Sequence, residues 1–366
     1  MDIIQIVPRL PPAIDGLGDY ALNLARQLHN DFNLKTHFAI GDAAWTGNTQ
    51  IEDFLINSVT ERSATALLSL LPSESATILL HYVGYGYAKR GCPTWLIEGL
   101  ERWKRNTPNS HLITMFHEVY ASGKLPWTSS FWLSDWQKKL AARLSQISDR
   151  CLTSNQNYAE VLYQLNQGKH TRIPILPVFS NVGEPKQVPR LTERSRRLVV
   201  FGSPSIRKRA YRQSLKELSQ VCRLFDIQEI FDIGAPTGLV LSSIQGIPII
   251  ETGKLSAPEI SEILLNSFAG FFDYYLEYLA KSGIFAAYCA HGMLTVSPRV
   301  YASLQDGIEP GKHYWFLSDR ITEITDFVEA QAIASHAYTW YQSHNLSVQA
   351  QNFFTHGLGN VCTKIG

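Results

Sequence analysis

Two short stretches carry residue types suited to binding phosphate. The first is Lys281-Ser282-Gly283, at the opening of an Ala-rich run that ends at His291-Gly292. A glycine-opened helix with a lysine at its mouth suits an anion, because its first backbone N–H groups are unpaired and its dipole end is positive. The second is Gly202-Ser203-Pro204-Ser205-Ile206-Arg207-Lys208-Arg209, after the apolar run Leu198 to Phe201. Three consecutive cations after a glycine turn suit a pyrophosphate through charge-assisted hydrogen bonds. Each stretch also has a plain structural reading: α/β proteins contain such turns routinely, and a basic turn can simply be solvated.

His117-Glu118 closes the apolar run Leu112 to Phe116 and could act as an acid/base pair or as a polar contact to a sugar. His291, just before Gly292, reads as a helix cap. Tyr82, Tyr85, Tyr87 and Trp95 could stack on a sugar, with packing as the default role. Gly16, Gly18 and Ala21 formally satisfy the dinucleotide-binding GxGxxG/A pattern, but eight residues with three prolines separate them from the preceding strand Ile3 to Val7. A glycine loop reaching toward a ligand fits better, with a helix-start turn as the alternative.

The elements that position these groups alternate. Strand-like runs at Ile3–Val7, Lys35–Ile40, Ala76–Val83, Leu112–Phe116 and Arg150–Thr153 are interleaved with helical patterns, among them Pro93–Lys104, Phe131–Ile147 and Tyr158–Leu165. After a polar, proline-containing tract from Glu184 to Arg197, which reads as a linker, the pattern restarts. Leu198–Phe201 is a strand, Tyr211–Phe225 a helix, Ile230–Ile233 a strand, Leu239–Ile244 a short helix, Ile247–Ile250 a strand and Ala257–Ser267 a helix. Ile321–Tyr341 and Val348–Phe354 are helical. Such alternation predicts an α/β fold with mostly parallel sheets, whose ligands bind beyond the carboxyl ends of the strands.

The 366-residue length allows two domains, and hydrophobic and aromatic fractions of 45% and 11% exclude wholesale disorder. A net charge of +1 gives no global pull toward nucleic acid or an anionic membrane, so phosphate binding is expected to be local. Five scattered cysteines argue against a zinc site or a disulfide framework and favour a reducing, cytoplasmic compartment. Neither a signal peptide nor a membrane span is expected.

The order of these pieces resembles a retaining GT-B glycosyltransferase of the family 4 type over nearly the whole chain. The resemblance rests on Ile6 to Leu22 as strand, glycine loop and helix, and on Met115-Phe116-His117-Glu118 as a strand ending in histidine. It extends to Ala142 to Ser154, to Gly202 with Lys208, and to Leu255-Ser256-Ala257-Pro258-Glu259-Ile260. There are two departures. Ser203 stands where the family usually has arginine, and Leu279 and Ala287 stand where its E-x7-E glutamates are expected, with Glu277 two residues from the first.

The resemblance implies two Rossmann-like domains with sheets facing a central cleft. An acceptor-side domain would span 1–184 and a donor domain 185–345, with a helix in 346–366 returning to the first. It implies transfer of a sugar from a UDP-, GDP- or ADP-sugar to a carbohydrate or other hydroxyl acceptor with retention, without a metal or other cofactor. His117, Lys208 and Lys281 would be catalytic. Gly202, Ser203, Ser205, Arg207, Arg209, Glu277, Ser282 and Gly283 would bind the donor, and Gly16, Gly18, Tyr85 and Glu118 would lie on the acceptor side. Other readings are a GT-B nucleotide-sugar epimerase, a catalytically silent GT-B binding protein and, disfavoured by the long Gly16 loop, a dehydrogenase.

Overall fold

The computed structural model describes residues 2–13, 15–121, 129–300, 305–317 and 327–358. The chain divides into two units, Met1–Pro177 with Leu346–Gly366, and Val178–Asn345.

The first unit holds strands β1 (Asp2–Val7), β2 (Lys35–Ile40), β3 (Gln50–Ile51), β4 (Phe54–Ser58), β5 (Thr77–Tyr82), β6 (His111–Phe116) and β7 (Arg150–Thr153), in the spatial order β3-β4-β2-β1-β5-β6-β7. All neighbours are parallel except the β3–β4 hairpin. Every residue of β5 is buried, which explains its nearly unbroken apolar sequence: a central parallel strand is covered on both faces. The helix Gly16–Phe32 turns Tyr20, Ala21, Leu24, Ala25 and Leu28 inward at helical spacing. The helix Leu346–Asn352 packs on it, and Phe354 stacks on Phe32 at 4.2 Å.

The second unit repeats the plan with β8 (Ser195–Phe201), β9 (Glu229–Ile233), β10 (Ser243–Ile244), β11 (Ile247–Gly253), β12 (Ser267–Phe271), β13 (Leu294–Ser297) and β14 (Trp315–Phe316), ordered β10-β11-β9-β8-β12-β13-β14. Only the β10–β11 pair is antiparallel. The strand order reverses between β1 and β5 and again between β8 and β12. These are the switch points where open α/β sheets leave a crevice beyond the strand ends. Gly270 on β12 makes room for the Tyr288 ring, which a Cβ would approach to 2.5 Å, and the Tyr288 hydroxyl accepts from Phe201 N–H at 3.1 Å. The hydroxyl also donates toward Val199 O at 3.1 Å, so one buried side chain ties the helix above to the switch-point strands.

Several expectations are corrected. Tyr211–Phe225 is not one helix but the end of Pro204–Gln213 and a second helix, Leu215–Leu224. They are broken at Ser214, whose hydroxyl is drawn to the buried carboxylate of Asp273 at 2.9 Å. Leu239–Ile244 is not helical: Gln245 and Gly246, both at positive φ, close the β10–β11 hairpin instead. The polar tract read as a linker lies inside the second unit, where the buried Arg194 donates to the carbonyls of Pro189, Ser267 and His291 at 2.9, 3.2 and 2.8 Å. The expected helix start at Ile321 lies outside the described residues, as does Cys362; the helix is described from Phe327 to Gln342.

Candidate functional site

In the second unit the two phosphate-type stretches come together at the β8–β12 switch point. Gly202 follows β8 with φ of +125°, in the region that favours glycine, and a Cβ there would sit 2.4 Å from Ile284 Cδ1. Gly234, after β9, has φ of +141°, and a Cβ there would sit 2.5 Å from Gly202 O. Only bare backbone fits at these strand ends. Because Ile284 is the second residue of the helix Gly283–Ala290, its contact with Gly202 sets the mouth of that helix beside the mouth of Pro204–Gln213.

The basic run lies in a helix, not in a turn, and its three cations point to different tasks. Arg207 is buried, with its Nε donating to Gly202 O at 2.9 Å and its guanidinium paired closely with the Asp232 carboxylate and the Ala235 carbonyl. It therefore braces the glycine turn, and the expectation that Arg207 faces a pyrophosphate is corrected: its donors are consumed inside the fold. Lys208 is partly exposed and has no hydrogen bond or ion pair among the described residues. Arg209 donates to Asp273 O at 3.0 Å and lies 3.4 Å from Asp273 Oδ1, with its guanidinium over the Tyr275 ring at 4.9 Å.

Asp273, fully buried just beyond β12, is the organising carboxylate that sequence reasoning missed. Arg299, after β13, meets its Oδ1 at 2.7 Å and its Oδ2 at 3.4 Å. The hydrogen bond to Asp273 raises the Arg299 pKa further. Two guanidiniums on one carboxylate leave a net positive charge, and the Arg299 side chain is 43% exposed. The signal for Asp273 was available: an acidic residue directly after the apolar run Phe268 to Phe272 must be partnered if it is buried.

At the second mouth, Ser282 is buried and caps its helix, its Oγ accepting from Phe285 N–H at 3.2 Å. Gly283 has open space where a Cβ would stand. Lys281 Nζ lies 5.7 Å from the Tyr278 ring centre. Glu277 is partly buried in the turn before them, and its charge adds to the rise in the Arg299 pKa. Ser203 and Ser205 are exposed, with their hydroxyls 3.0 Å apart. Leu279 and Ala287 are both core residues, 2% and 0% exposed. His291 is a buried cap: Nδ1 lies 2.7 Å from Ala287 O and Nε2 2.8 Å from Ser261 Oγ, and burial draws its pKa down to about 4.

In the first unit Gly16 and Gly18 form the first turn of a helix capped by Asp15, whose carboxylate accepts from Leu17 N–H at 3.0 Å. A Cβ on Gly18 would come 2.3 Å from Arg9 O, so this glycine admits the neighbouring loop and does not reach toward a ligand. Beside it the Asp19 carboxyl is raised to about 6, by burial first and by Asp15 second. His117 stands beyond β6 with Nε2 3.1 Å from His81 Nδ1, and His81 Nε2 is 2.9 Å from Gln5 Oε1. Glu118 is partly buried beside it. Tyr82 and Tyr87 are core residues, whereas Tyr85 is 37% exposed. Gln5 and His81 were also missed, although a polar residue inside each of two apolar strands was the available sign.

Among the described residues no helix is long and apolar enough to cross a membrane, and no group of side chains could hold a metal ion. The sequence matches no protein-family model and no curated protein. The structure does match solved ones. TarM superposes with a TM-score of 0.63 at 9% identity, covering 96% of this chain and 97% of that one. An alpha-glucosyltransferase in complex with UDP gives 0.57 at 10% identity over 94% and 96%. A chain assigned as a UDP-N-acetylglucosamine 2-epimerase from Listeria monocytogenes gives 0.57 at 11% identity over 98% and 97%. With its two mostly parallel seven-stranded sheets, the chain has the α/β architecture of GT-B glycosyltransferases.

Proposed function

We propose that the protein is a glycosyltransferase that moves a sugar from a nucleotide-diphosphate donor to an acceptor hydroxyl with retention of anomeric configuration. The observation that carries this reading is the meeting at the β8–β12 switch point of two helix mouths, through Gly202 and Ile284, with the guanidiniums of Arg209 and Arg299 paired on Asp273 just beyond β12. Donors held by the fold where negative charge develops on a leaving diphosphate stabilise the transition state without reorganising, commonly the largest catalytic contribution. In this reading Lys208 and Lys281 supply positive charge and Gly283 the backbone N–H of a helix start, while the Ser282 N–H is already donated to Leu279 O at 2.9 Å. The first unit carries the acceptor-side candidates His117, Glu118 and Tyr85.

An epimerase is the second reading, favoured by the match to the Listeria monocytogenes chain. A silent binding protein is the third, favoured by the burial of apolar Leu279 and Ala287 at the positions of the family's glutamates. Incubation with a panel of UDP-, GDP- and ADP-sugars separates the three. Transfer or slow donor hydrolysis supports the transferase, an isomerised sugar the epimerase, and binding without turnover the silent form. Lys208→Ala and Lys281→Ala are each expected to lower turnover at least about tenfold, or about 1.4 kcal/mol, without changing the melting temperature. Full activity in both variants would displace the diphosphate from this site.

A further inference from the structure

We propose that the groove between the helix Leu215–Leu224, the end of the helix Pro204–Gln213 and the β10–β11 turn binds an anionic carbohydrate, a sugar carrying phosphate or carboxylate groups. The groove, of about 520 Å³, is lined by Arg212, Lys216 and Arg223 and by no carboxylate. The proposal does not depend on the reaction performed at the β8–β12 site.

The local fold places the cations together. Lys216, Gln220 and Arg223 recur at steps of four and three residues and so share one face of their helix, where the helical rise sets Lys216 and Arg223 about 10 Å apart along the axis. Arg212 joins them from the last turn of the preceding helix. Gln245 lines the groove from the hairpin turn, held at φ of +51°. β11 runs parallel to β9, so the turn that precedes it lies at the amino ends of these strands, at the opposite edge of the sheet from the β8–β12 crevice.

Two observations set these cations apart from an ordinary solvated face. The chain has 33 basic and 32 acidic residues, and its surface cations commonly pair, as Arg26 does with Glu52, Arg62 with Asp42 and Arg143 with Glu101. Arg212, Lys216 and Arg223 are all exposed, and none has an ion pair or side-chain hydrogen bond among the described residues. Three like charges in one groove repel one another unless an anion joins them. Lys216, moreover, stands in the first turn of its helix, at the positive end of the dipole, where a cation is unfavourable. Helix stability accounts for Arg212 and Arg223, which lie in last turns, but not for Lys216.

The rest of the lining indicates what carries the negative charge. The side chains of Gln213, Gln220 and Gln245 have no hydrogen bond among the described residues, and an amide can both donate to and accept from a hydroxyl. No aromatic ring lines the groove, so a nucleobase has nothing to stack on. The volume is that of a small-molecule site, roughly 300–1,000 Å³, and not the broad face that a protein partner covers. Anions for the cations, hydroxyls for the amides and small size together describe a charged sugar.

The test is calorimetric titration of the full-length protein with glucose-6-phosphate and with tetragalacturonate, against neutral maltotetraose and inorganic phosphate. At least one of the two anionic sugars is expected to bind, about tenfold more tightly than either comparison and more weakly as salt is raised. Lys216→Ala and Arg223→Ala should each weaken that binding at least about fivefold without lowering the melting temperature. Binding of glucose-6-phosphate marks a soluble sugar phosphate as the ligand, binding of tetragalacturonate an acidic glycan, and either supports the proposal. Failure of both to bind, binding unchanged in both variants, or inorganic phosphate bound as tightly as the sugar overturns it. The donor reading is judged separately, by whether UDP, GDP or ADP binds.

Discussion

Asp273→Ala is expected to destabilise the second unit by about 3–5 kcal/mol, because removing one partner of a buried ion cluster leaves the others uncompensated. The carboxylate is fully buried and holds Arg299, Arg209 and the Ser214 hydroxyl at once. Its loss therefore leaves two guanidiniums confined next to one another and frees the helix break at Ser214. In a thermal unfolding scan the melting temperature should fall on the order of 10 °C. Asp273→Asn keeps the shape and the acceptor for Ser214 but not the charge, and should fall between the two. A near-native melting temperature in Asp273→Ala would show that the two arginines do not depend on this carboxylate.

Acid should unfold the second unit through two histidines. Burial is the first cause of depression in both: it draws His291 down to about 4 and His344 to about 3. His291 already uses both ring nitrogens, and His344 Nε2 is buried with no hydrogen-bond partner among the described residues. A second proton on His291 would have to reverse the Ser261 hydrogen bond, and one on His344 Nε2 would be buried without a hydrogen-bond partner among the described residues. A group whose folded pKa is depressed below an unfolded value near 6.5 stabilises the fold fully above that value. The contribution is lost as pH falls through the folded value. Stability is therefore expected to drop by several kcal/mol between about pH 6.5 and 4. Denaturant titrations over this range should show the loss, and His291→Gln should reduce the slope. A flat profile would contradict the neutral, buried state of these rings.

How far the chain could be read in advance follows from what each element depends on. The central strands were legible because β1, β5, β6 and the Leu198–Phe201 part of β8 are mostly apolar runs, and that pattern is local. The β3–β4 hairpin was not foreseen: its strands are short and partly exposed, and its turn depends on Glu52 at φ of +53°. The break at Ser214 could not be read locally either, since it follows from a carboxylate 59 positions away in sequence.

The two phosphate-type stretches were visible as residue types, but their adjacency through Gly202 and Ile284 belongs to the tertiary fold. Arg207 was misassigned because its run was taken as a turn. On a helix it shares the inward face with Ala210 and Tyr211, while Arg212 lies outside. Asp273 and Arg299 gain meaning only when β12 and β13 lie side by side. Likewise Gln5, His81 and His117 form a ladder only because β1, β5 and β6 are neighbours although they are far apart in sequence.

The central claim is that the β8–β12 switch point binds the diphosphate of a nucleotide donor. Calorimetric titration with UDP, GDP and ADP tests it most directly. At least one is expected to bind with Kd below about 1 mM, or more than about 4 kcal/mol of binding free energy. Lys208→Ala and Lys281→Ala should each weaken that binding while the fold keeps its melting temperature, and Arg299→Ala should weaken it with a loss of stability, because it removes a partner of the buried Asp273 carboxylate. Failure of all three nucleotides to bind, or binding indifferent to all three substitutions, would contradict the account.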